Sequence, residues 1–121
     1  MGIENNECIL AVTWNADAVG EIKNWVLTRS EIEQKLFCFI PAIMNGKTTI
    51  ILAADGSKKG WETAKLGDAA RAAFIEKLES FAYKDGSSQF DWVEVGFGEY
   101  GQKILRGNNK NCYSDTEYHE D

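Results

Sequence analysis

Apolar residues are concentrated in six stretches separated by polar segments, and their spacing changes from one stretch to the next. Cys8 to Trp14 (CILAVTW) is a short apolar, partly β-branched run ending at Asn15, which predicts a buried strand. From Ala16 onward Val19, Ile22 and Val26 recur at helical spacing, with Trp25 beside them and Asn15 or Asp17 available as N-cap. A helix is expected there, although Gly20 weakens it and Ile22 to Thr28 also suits an extended segment.

The runs LFCFIPAIM and KTTIILAA flank Asn45-Gly46, a dipeptide that favours the positive φ angles of a tight hairpin turn. With a two-residue loop, Met44 faces Lys47 and Pro41 faces Ile50 in a non-hydrogen-bonded pair. Proline lacks an N–H, so this position requires a sheet edge on its other side. The following segment DGSKKGWETAKLG reads as a surface connection, after which Asp68 is expected to cap a helix with Ala70, Ala73, Phe74, Leu78 and Phe81 on one stripe. KDGSSQ has turn chemistry, and FDWVEVGF resumes a period-2 pattern as the last major strand.

The order strand, helix, strand, strand, helix, strand predicts an α+β fold of the ferredoxin-like split βαβ class (βαββαβ). Such a fold has an antiparallel sheet in the order 4-1-3-2 with two helices on one face. Residues 1–107 are expected to form a single domain and residues 108–121, polar and poorly periodic, an acidic flexible tail.

Both alternating sets of the hairpin are apolar. Leu36, Cys38, Ile40, Ala42 and Met44 alternate with Phe37, Phe39, Pro41 and Ile43. One helix layer covers one sheet face, so the surplus implies a homodimer, a protein partner or a pocket for an apolar ligand. Phe37, Phe39 and Ile43 are the candidate contact residues. Trp61, beside Lys58 and Lys59 in the glycine-rich connection, adds an aromatic and two cations that suit recognition; equally, the tryptophan pins its own loop.

Charge narrows the choice of partner. The net charge is −6, with 12 basic and 15 acidic residues in 1–107 against one and four in 108–121. Lys and Arg dominate phosphate contacts, so nucleic acid is not an expected partner. No apolar run approaches the roughly 18 residues of a membrane span, and the N-terminus lacks the basic and apolar regions of a secretory signal. Cys8, Cys38 and Cys112 are odd in number and widely spaced, which fits a reducing cytoplasmic setting without disulfides.

Candidate chemistry is sparse. Gly96 to Gly101 matches the G-x-G-x-x-G dinucleotide fingerprint, but only a polar tail remains beyond it, so a twisted or bulged strand end is the better reading. His119 lies among tail carboxylates with no fixed geometry, hence no metal site or cofactor is expected and the commonest general base is missing. Glu94, Glu99 and Arg71 are the polar groups available to a ligand pocket at the sheet face. Catalysis remains undecided at this level.

Overall fold

A computed structural model of the chain describes residues 5–44, 46–56, 62–85, 87–98 and 101–108. It has strands β1 (Asn5–Thr13), β2 (Phe37–Pro41), β3 (Thr48–Leu52), β4 (Asp91–Gly98) and β5 (Gly101–Gly107). The helices are α1 (Ala16–Val26), α2 (Glu31–Gln34) and α3 (Glu62–Glu79). The strands form one antiparallel sheet in the order β2-β3-β1-β4-β5. Among the described residues the fold is therefore α+β, with a five-stranded antiparallel sheet and three helices. The four strands read from sequence follow the order β4-β1-β3-β2. One further strand and one short helix exceed the expectation.

The β1 to α1 junction follows from local chemistry. Asn15 stays extended, and its side chain accepts hydrogen bonds from the backbone N–H groups of Asp17 and Ala18, which the first turn leaves unpaired. Its Nδ2 donates to Gln89 Oε1 at 2.7 Å, tying the cap to the segment before β4. Replacing Asn15 with alanine removes both contacts and is expected to cost about 1–2 kcal/mol in denaturant unfolding. The helix continues through Val26, so Ile22 to Thr28 is not a strand.

Two expectations about register and boundaries change. Pro41 pairs with Thr48, not Ile50, and the Ala42 N–H donates to Lys47 O. The hairpin loop is thus Ile43 to Gly46, two residues longer than a minimal turn, with Gly46 at φ 63°. A two-residue shift preserves face and pairing parity, so Pro41 keeps a non-hydrogen-bonded position on the edge strand β2. In the second case, α3 starts at Glu62 and Asp68 lies inside it rather than capping it. Gly67, which the sequence placed in a surface connection, meets a close neighbour there: a Cβ would clash with Asp55 Oδ2.

The core lies between the helices and one sheet face. Ala18, Ile22 and Val26 of α1 join Ala70, Phe74 and Leu78 of α3 in one cluster with Ile9, Ala11, Ile50, Leu52 and Trp92. Those strand residues fall on a single parity of the register, so both helices cover the same face. Trp25, Phe37 and Phe74 close the layer: Phe74 stacks on Trp25 at 6.1 Å between centroids and meets Phe37 edge-on at 5.1 Å.

β5 pairs with β4 through a register shift at Glu94/Val95, a bulge that accommodates one extra residue. Asn108 then continues the tie, its Oδ1 accepting from Trp92 N and its Nδ2 donating to Phe90 O. The first position assigned to the flexible tail is accordingly bonded to β4.

Candidate functional site

Period-2 alternation sends the residues between the core positions to the opposite face, which no described helix covers. Its central register row runs from Cys38 through Ile51 and Leu10 to Val93, and the row beside it from Ile40 through Thr49 and Val12 to Asp91. On the other side Cys8, Val95 and Ile104 align, then Asn6, Phe97 and Gln102. The result is a largely apolar surface in contact with water: Leu10, Ile40, Phe97 and Ile104 are each 37–46% exposed. Beyond the paired strands, Trp14 after β1 and the hairpin-tip residues Ile43 and Met44 are exposed as well, Ile43 to 99%.

Of the residues singled out by sequence, Ile43 is exposed at the hairpin tip, beyond the paired positions of β2 and β3, and is not part of the open face. Phe37 and Phe39 are on the other side, packed against the core under the helices. The hairpin offered two apolar sets without saying which one α1 and α3 would cover. The bulkier aromatic set lies under Trp25 and Phe74, leaving Cys38 and Ile40 outward. Lys58, Lys59, Trp61 and Glu99 lie outside the described residues, as does His119.

Glu94 and Arg71 are brought together, but not at the open face. Glu94 shares the parity of Trp92 and lies beneath α3, where it is 2% exposed, and Arg71 descends from α3 to meet it. Arg71 Nε is 3.4 Å from Glu7 Oε1 and 3.9 Å from Glu94 Oε2, its Nη1 is 3.9 Å from Asp55 Oδ2, and its Nη2 donates to Asp68 Oδ1. Glu94 also accepts from Arg106 Nε at 2.7 Å. Hydrogen bonding to Glu94 raises the Arg106 pKa above its ordinary value.

This cluster joins β1, β4, β5, α3 and the segment after β3. A guanidinium occupies its centre, where four carboxylates would otherwise repel each other. Its chemistry is that of a structural clamp. Glu94 cannot line a pocket on the open face, because β4 directs it to the other side. The expected pocket of Glu94, Glu99 and Arg71 at the sheet face is corrected to that extent.

Cys8 and Cys38 are free thiols, both of open-face parity. Burial pushes the Cys8 thiol above the usual range, opposed by the positive charge of Arg71 across the sheet and reinforced by Glu94. Gly96 to Gly101 spans the end of β4 and the start of β5, so a strand follows where a dinucleotide loop would open a helix. No described helix is long and apolar enough to cross a membrane.

Sequence reasoning missed Cys38, Ile40, Leu10 and Ile104 as surface residues. Parity relative to the fully buried Ile9 and Ala11 is the signal that places Leu10. Comparison with known proteins returns no match, whether to a family model, a curated protein or a solved structure.

Proposed function

We infer that the chain is a small protein-interaction domain of the cytoplasm that binds through its open sheet face, on a split βαβ, ferredoxin-like frame extended by a fifth strand. The observation that carries this reading is the contiguous apolar surface of that face, more than scattered single hydrophobes would give. Water contact with such a surface is unfavourable by roughly 25 cal/mol per Å² of apolar area, a penalty that a bound partner relieves. Two free thiols on the same face suit a reducing compartment. The runner-up, a small-molecule site built around Glu94, has less support because that carboxylate is already engaged by two arginines.

A charge at the centre of the face tests the reading. Leu10→Asp is expected to change the unfolding free energy of the dilute protein by no more than about 1 kcal/mol, as surface substitutions do. Ile9→Asp, one residue away in the core, should abolish folding. If Leu10→Asp unfolds the domain instead, the face is part of its own core and the interaction reading falls.

A further inference from the structure

We propose that the occupant of the open face is a second copy of this chain, seated sheet on sheet about a two-fold axis that lies between the two faces and passes over β1. This rests on the interaction reading above and names its partner.

Charge is the first argument. The chain carries a net charge of −6, yet the paired open-face positions of the described strands hold one charged side chain, Asp91 at the start of β4, with Lys47 of the same parity directly before β3. A basic or acidic partner would be recognised by opposite charges, which this face does not offer. Two copies of an acidic chain, in contrast, approach with least repulsion through the surface poorest in carboxylates, since each buried like-charge pair opposes association.

Shape and size agree. Twisted antiparallel sheets pack face to face about 10 Å apart with strands inclined by about 30°, and a two-fold axis makes one face complementary to itself. Leu10, on the central strand, then meets the region of its own counterpart. Five strands of this length give a face about 20 Å by 20 Å, and two such faces together bury on the order of 1,000 Å², the lower end for a specific complex. The expected dimer is therefore reversible, with micromolar affinity.

The native thiols report on the contact. In a Cys112→Ser chain the only remaining thiols are Cys8 and Cys38, both of open-face parity. Sedimentation velocity should show monomer passing to dimer as concentration rises through the micromolar range. Over the same range the initial rate of Cys38 modification by N-ethylmaleimide should fall about tenfold, by mass action.

Leu10→Asp should stay folded and monomeric with a fast, concentration-independent rate, and Ile40→Lys on β2 provides the same test if that variant folds poorly. A wild-type chain that remains monomeric with reactive thiols throughout would overturn the second-copy assignment, while leaving the face as a surface for a different protein. A dimer whose thiols stay fully reactive would show that the copies meet elsewhere and overturns it too. Failure of the interaction reading itself appears separately, as unfolding of Leu10→Asp.

Discussion

Replacing Arg71 with methionine is expected to cost about 3–5 kcal/mol in unfolding free energy, because removing one partner of a buried ion pair leaves uncompensated charge behind. The side chain of Arg71 is only 9% exposed and stands among Glu7, Asp55, Asp68 and Glu94. Arg106 still neutralises Glu94 in the variant, so the repulsion left behind falls mainly on Glu7, Asp55 and Asp68. Lysine should be a poor substitute, since one ammonium cannot reproduce a planar fork directed at several carboxylates. Denaturant unfolding of Arg71→Met and Arg71→Lys is the measurement. Wild-type stability in both would mean that water, and not the guanidinium, solvates these carboxylates.

Phe74→Ala should be similarly damaging, by about 3–5 kcal/mol, since it removes a fully buried ring and leaves a cavity that neighbours fill only in part. The loss also removes the ring on which both Trp25 and Phe37 pack, leaving them only their own edge-on contact at 5.8 Å. Near-ultraviolet circular dichroism should therefore change along with stability. If the midpoint moves by the equivalent of less than about 1 kcal/mol, α1 and α3 close over the gap and the layer is less constrained than its packing indicates.

The parts of the fold that were legible in sequence are those whose signal is local. Asn15 as a cap, the alternation in FDWVEVGF and the apolar hairpin each follow from residues close together in the chain. The parts that were not legible depend on distant partners. Asn-Gly with a positive φ at Gly46 fits a short turn and a four-residue loop equally well, and only pairing with β3 selects between them. ETAKLG looks like a connection because its residues are polar and include glycine. It is helical because α3 packs along the sheet, and Gly67 is there to admit Asp55 rather than to end a helix.

The same distinction applies to the candidate site. That a second apolar face exists is visible in the alternation of the hairpin alone. Which face stays open is not, because Phe37 and Cys38 differ only in the direction that α1 and α3 select. β5 and α2 were invisible for a related reason: QKILRG gains its strand conformation by pairing with β4, and a four-residue helix is too short to show a period. Glu94 was visible as a charged residue on the Trp92 face, but its neutralisation by Arg71 and Arg106 comes from α3 and β5.

Pro41 on β2 has a consequence for how large an assembly can grow. A sheet with two bare margins invites neighbours to add strand after strand, the route by which soluble proteins polymerise into fibres. One margin here is β2, where proline takes away a donor that an incoming strand would need. At the opposite margin the bulge in the β4–β5 pair distorts the ladder, and Lys103 and Arg106 place cations along it. With lateral growth discouraged on both sides, the open face is the part of the sheet left for association. In the proposed pairing, isologous use of that surface consumes it, which would end assembly at two chains.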